Sequence, residues 1–123
     1  MAVVHETAVR NAISDAVLAA VGASGYLLFE EADDSEVSRH DFPSPSGTVG
    51  ATDITFDCDP DISDTSPAGG TAVVQASIYT SGDTKILECS AGTATSNDIT
   101  ISSINIAVTD TVTLTDLTYA PPT

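Results

Sequence analysis

The sequence predicts a mainly β domain, an antiparallel β-sandwich or jelly-roll-like fold, with one amphipathic N-terminal α-helix. Three observations carry this reading. From Gly25 onward, apolar and polar residues alternate with period two in short runs, the pattern of half-buried strands. Clusters of Gly, Pro, Asp and Ser break those runs at the roughly 8–12-residue spacing of sandwiches and barrels. Before Gly22 the apolar residues repeat instead at helical spacing. At 123 residues the chain forms a single domain over 1–123, with a helix at 1–22 and a β-sandwich at 25–120.

The helix is read from Val9, Ala12, Ile13, Ala16, Val17, Ala20 and Val21, which line one face, while Arg10, Asn11, Ser14 and Asp15 fall on the other. Thr7 is placed to cap its start and Gly22 to end it, because glycine takes the left-handed conformation that helix ends use. The stripe is small and apolar, so it must be covered, either by the domain's own sheet or by a neighbouring subunit. Tyr26 to Glu31 is the first strand, followed by the charged turn EADDSE. Val37 to Phe42 pairs back on it, and Pro43 and Pro45 close that segment because proline cannot donate to a ladder. Thr48 to Asp57 is a third strand, with Ile54 and Phe56 pointing one way. Residues 57–70 (DCDPDISDTSPAGG) are a long loop rich in turn-forming residues. Thr71 to Thr80 and Thr84 to Ser90 form a hairpin around Ser81-Gly82-Asp83. In the last third, Ile99, Ile101, Ile104, Ile106 and Val108, then Val112 and Leu114, then Leu117 and Tyr119, alternate regularly. A slip of parity near Thr115 and Asp116 predicts a bulge there.

Composition excludes several functions. Eighteen acidic residues face only Arg10, Arg39 and Lys85, a formal net charge of -15. Three cations cannot neutralise enough phosphates to hold nucleic acid, and an anionic membrane surface repels such a chain. The charge favours solubility and opposes compaction, and salt relieves it. A marine or halophilic host fits; a plain solvated acidic surface accounts for the charge equally well. The apolar fraction of 41% is too high for a disordered chain, and with aromatics at 5% the core must be aliphatic. The uncharged run from Ala16 to Phe29 is too short to span a membrane, and no basic stretch precedes it as in a secretory signal.

The residues supply little catalytic chemistry, and the sequence predicts no enzyme. His5 lies near the terminus. His40 is assigned to a polar strand face beside Asp41, and neighbouring strand residues point to opposite faces, so the two make no triad. No Gly-x-Ser-x-Gly elbow, phosphate-binding loop or His-Glu-x-x-His is present. Lys85 beside the hairpin is expected to be solvated. Asp57, Asp59, Asp61 and Asp64 offer hard oxygens suited to Ca²⁺, but the glycine and glutamate of an EF-hand are missing and Pro60 stiffens the loop. No cofactor is expected, with Ca²⁺ the one candidate and a solvated acidic turn the other reading. Cys58 and Cys89 are too few for a disulfide framework and form a bridge only if two strands bring them together. Exposed aromatic platforms for sugars are scarce, so an extracellular carbohydrate- or Ca²⁺-binding module is an alternative with little support.

The order of segments resembles short virion structural proteins of tailed phages. The resemblance runs through the helix AVRNAISDAVLAAVGA and the strand GYLLFEE. It continues in the loop DISDTSPAGGTA, the hairpin VVQASIYTSGDTKIL and the closing NDITISSINIAVTDTVTLTDLTYAPP. It departs from the pattern at Thr109, where a glycine is usual, and at the two cysteines. The resemblance implies a capsid decoration (cement) protein, or a tail, neck or fibre accessory subunit. Such a protein would be a homo-oligomer, typically a trimer, on the virion surface, with the major capsid protein or other virion proteins as partners. The helix face Val9, Ala12, Ile13, Ala16, Val17 and Ala20 is then the expected interface.

Overall fold

The computed structural model describes residues 3–123. The first two residues of the helix expected at 1–22 lie outside them. The helix α1 spans Thr7–Val21. Thr7 is its first residue, not its cap; Glu6 holds the cap position and its side chain makes no capping bond. Gly22 ends the helix, and its N–H donates to the Leu18 carbonyl; its φ of 75° is positive as expected, but its ψ of -170° lies outside the left-handed helical region.

Ten strands follow: β1 Tyr26–Glu30, β2 Glu36–Asp41, β3 Gly47–Gly50, β4 Asp53–Phe56, β5 Ile62–Asp64, β6 Gln75–Tyr79, β7 Lys85–Gly92, β8 Ile99–Thr100, β9 Val112–Leu114 and β10 Thr118–Tyr119. They form a five-stranded sheet β2-β1-β6-β7-β8, a three-stranded sheet β10-β4-β3 and the pair β5-β9. All pairings are antiparallel except β7 with β8. The fold is mainly β and sandwich-like, with one helix at its N-terminus.

The core lies between the sheets. Leu27, Phe29, Ala76 and Ile78 come from the five-stranded sheet and Ile54 and Phe56 from the three-stranded one, with Val37, Phe42 and Val73 filling between them. Phe42 and Phe56 stack at 4.8 Å. Ile54 and Phe56 point inward together, as their alternation predicts. The predicted strand Thr48 to Asp57 is instead the hairpin β3–β4, turning at Ala51, whose φ is 52°. Gly47 lets these two strands approach, since a Cβ there would sit 2.5 Å from the Thr55 carbonyl oxygen.

The last third departs most from its pattern. Instead of long alternating strands it forms β8, β9 and β10, two or three residues each, and one isolated bridge between Gly70 and Ile106. Ile106 and Leu114 are buried, but Ile104 and Val108 are exposed. The irregularities in the ladders fall at Phe29/Glu30 and Ile78/Tyr79, whereas the bulge expected near Thr115 is a break between two strands of different sheets.

Candidate functional site

The helix is rolled from the phase its apolar stripe suggests, so that Val17 and Val21 of the stripe turn inward and the rest does not. Ser14 and Val21 are fully buried, with Arg10, Asn11, Val17 and Leu18 partly so. The Ser14 hydroxyl donates to the Thr52 carbonyl at 2.5 Å, tying the helix to the β3–β4 turn. Arg10 Nε and Asn11 Oδ1 are buried there without hydrogen-bond partners. Meanwhile Val9, Ala12, Ala16 and Ala20 are exposed, Val9 to 47%, and Ile13 and Val17 lie half-buried at the margins. Val3 and Val4, just before the helix, are exposed to 77% and 73%. Of the predicted interface residues, the structure therefore leaves most uncovered by the domain itself.

The polar chemistry of the molecule gathers on the face of the five-stranded sheet turned away from the core. Residues directly opposite one another in a ladder share a face. The register pairs Tyr26 with Asp41 and Tyr79, Leu28 with Arg39 and Ser77, and Glu30 with Gln75. Glu30 is fully buried. It accepts hydrogen bonds from Ser77 Oγ at 2.5 Å, Tyr79 OH at 2.6 Å and Gln75 Nε2 at 3.1 Å, with Lys85 Nζ 3.6 Å away. The Tyr26 and Tyr79 rings stack at 5.2 Å, Arg39 lies over Tyr26 at 3.7 Å, and Lys85 approaches Tyr79 at 5.7 Å. Burial, reinforced by Asp83 at Tyr26 and by Glu30 at Tyr79, pushes both phenols up to about 12. These two tyrosines are covered by each other and by cations, and neither offers an open platform for a sugar.

Lys85 is not the solvated residue its hairpin position suggests. Its ammonium lies 2.9 Å from Glu88, 3.4 Å from Asp34 and 3.6 Å from Glu30. The hydrogen bond to Glu88 is the main cause of its raised pKa. Glu30, Asp34 and Glu88 are the carboxylates that converge closely enough to hold a metal ion among the described residues. The lysine supplies the positive charge at that place.

The predicted aspartates do not converge in this way. Asp57 accepts the Asp59 N–H within the loop. Asp61 is exposed. Asp64 turns away to accept Ser66 N–H, Arg39 N–H and Ser38 Oγ–H, and those hydrogen bonds lower its pKa against the opposing effect of its burial. The two cysteines are both free thiols. Cys58 lies in the loop after β4 of the three-stranded sheet, and Cys89 lies on β7 of the five-stranded one, opposite Ala76 on β6. Burial raises both, Cys89 to about 11, which favours the protonated thiols at neutral pH.

His40 is fully buried, not on a polar face. It stands edge-on to Phe29 at 5.7 Å and forms a chain with Ser38 and Asp64. The carboxylate contacts the serine rather than the imidazole, and Ser38 has no exposed surface, so this is not a nucleophile–base–acid arrangement. Elsewhere an apolar groove of about 400 Å³ opens between β7–β8 and β10, reaching Leu87, Ile99, Leu117 and Tyr119. No described helix is long and apolar enough to cross a membrane. Comparison of the chain with protein-family models, with curated proteins and with solved structures finds no match.

Proposed function

We propose that the chain is a structural protein of a tailed-phage virion, a capsid decoration subunit that acts by burying shared interface rather than by catalysis. The observation that carries this reading is the orientation of α1. The helix spends its polar flank on anchoring to the β3–β4 turn and turns Val9, Ala12, Ala16 and Ala20 to the outside. Continuous apolar surface on a small domain marks a contact site, and small side chains let a partner backbone come close. The segment-by-segment resemblance to virion proteins points the same way, toward the major capsid protein or a further copy of the chain, in a trimer, as what covers the stripe. The strongly acidic remainder keeps such a particle surface soluble and mutually repelling.

Counting copies in purified particles tests the location. Hundreds of copies per particle are expected of a decoration protein, a handful would move it to the tail or neck, and absence from particles would sink the reading. At residue level, Val9→Asp and Ala16→Asp should leave the isolated domain's melting unchanged, because both side chains are solvent-facing, yet abolish binding to shells lacking the protein. Unimpaired binding by both variants would remove the helix from the interface.

A further inference from the structure

Strand β5 lies beside β2, the edge of the five-stranded sheet, but no ladder joins the two among the described residues. Side chains make the join, beside one backbone bond from the loop after β5, Gly69 N–H to the Val37 carbonyl at 3.1 Å. His40 on β2 reaches the Ile62 carbonyl on β5 through Nδ1 at 3.1 Å, and its Nε2 lies 3.0 Å from Ser38 Oγ. Ser38 Oγ in turn lies 3.1 Å from Asp64 Oδ2, the oxygen that also accepts the outward-pointing N–H of Arg39 at 2.9 Å.

The hydrogens in this chain do not add up for a neutral ring. A carbonyl only accepts, so Nδ1 must carry the hydrogen. Nε2 is then bare and competes with Asp64 for the one hydroxyl hydrogen of Ser38, leaving a contact unmade. Protonation supplies the missing hydrogen but sets a charge against Leu27 and Phe29, which face His40 and Ser38 across the ladder. The charged neighbours give little relief. On β2 itself Arg39 and Asp41 alternate to the other face, and Glu36 lies beyond the bulge. From β1 the carboxylate of Glu30 is on the far face as well. From β5 comes Asp64, held behind Ser38, with Asp61 just before the strand. β9, behind β5, is the uncharged Val112–Leu114, with Asp110 and Asp116 outside its ends.

We propose that His40 is a proton-operated latch, which holds the β5–β9 pair on the edge of the five-stranded sheet and releases it on mild acidification. Burial pushes the imidazole below its ordinary value, and the Ile62 hydrogen bond with the Asp64 and Asp41 charges restores only part of that loss. A group that binds protons less well docked than released favours release as pH falls. Below the free imidazole value of about 6.5, the ratio of docked to released chains should fall, by at most about tenfold per pH unit, until the docked ring itself titrates.

The amide of Arg39 reports the event, because Asp64 is its acceptor and leaves with β5. NMR on the intact chain would follow the His40 ring signals and the hydrogen-exchange protection factor of the Arg39 amide from about pH 7.5 to about pH 5, above the main carboxylate range. The expected result is an Nδ1–H tautomer at neutral pH and Arg39 protection that falls below about 6.5, by at most about tenfold per pH unit. That fall should vanish in His40→Gln, which cannot titrate. Protection constant down to pH 5, or an equal fall in His40→Gln, overturns the latch. If His40→Gln does not fold, Asp64→Asn decides: losing the nearby negative charge should move the His40 midpoint lower, and an unmoved or raised midpoint refutes the coupling.

Discussion

Replacing Glu30 by alanine removes the acceptor at the centre of the outer sheet face. Ser77 is fully buried, so its hydroxyl would be left without the 2.5 Å partner it has now, and Tyr79 OH would lose its 2.6 Å bond. An orphaned buried donor costs about 1–3 kcal/mol, and the Ser77 and Tyr79 hydroxyls and the Gln75 amide lose the carboxylate together, while Lys85 keeps Glu88 and Asp34. These losses overlap, because the same carboxylate serves all of its donors, and water reaches Lys85 and Tyr79. About 3–4 kcal/mol in all is therefore expected. For a domain of this length each kcal/mol moves the midpoint by roughly 3–6 °C, so melting should fall by about 10–20 °C. Urea unfolding followed by circular dichroism at fixed salt measures the loss as a midpoint shift at constant slope. Glu30→Gln, which keeps one acceptor oxygen, should lose about half as much. A loss below about 1 kcal/mol for Glu30→Ala would mean that water replaces the carboxylate, and that its burial contributes little.

Gly47→Ala sets a Cβ 2.5 Å from the Thr55 carbonyl oxygen and 2.9 Å from Phe56 Cα, both backbone that cannot swing aside. A loss of about 2 kcal/mol or more should follow, while Gly50→Ala, with nothing within 4 Å, stays within about 0.5 kcal/mol; equal effects would contradict the β3–β4 approach. Ser14→Leu tests the phase of the helix: overpacking the Thr52 contact should cost about 1–3 kcal/mol, and a stabilised variant would mean that the helix rolls its apolar side inward. Sodium chloride should raise the melting temperature steadily, as screening shortens from about 30 Å at 0.01 M to about 3 Å at 1 M, and a flat response would show that the net charge of -15 does not strain the fold.

The local parts of the fold were legible in the sequence and the non-local parts were not. The helix, the β1–β2 and β6–β7 hairpins and the inward pair Ile54 and Phe56 follow from periodicity and turn residues, which act over a few positions. The partners of β9 and β10 lie about fifty and more than sixty residues away, and alternation says which side chains seek cover without saying which backbone supplies the ladder. Thus Ile106 and Leu114 found the core while Ile104 and Val108 did not. The polar interior was hidden for a related reason. Glu30 and His40 sit at strand positions that read as ordinary polar alternation, and only the neighbouring strands bring Ser77, Tyr79 and Ile62 within reach. The helix orientation escaped because Ser14 is small enough to be buried and its hydroxyl finds a carbonyl on β3–β4's turn, which no pattern within the helix reveals.

That dependence on distant strands has a kinetic side. The three-stranded sheet needs β10 to cover one edge of β4, and β5 has no ladder partner until β9 is made. During synthesis the helix and the first hairpins emerge early, but the open edges of β4 and β5 wait for residues 112–119. Chains stalled before that point would expose Ile54, Phe56 and Ile62 beside unpaired backbone, the arrangement that invites edge-to-edge aggregation. Closing the domain is thus a late step, and loop closures of this span place it among slowly folding β topologies.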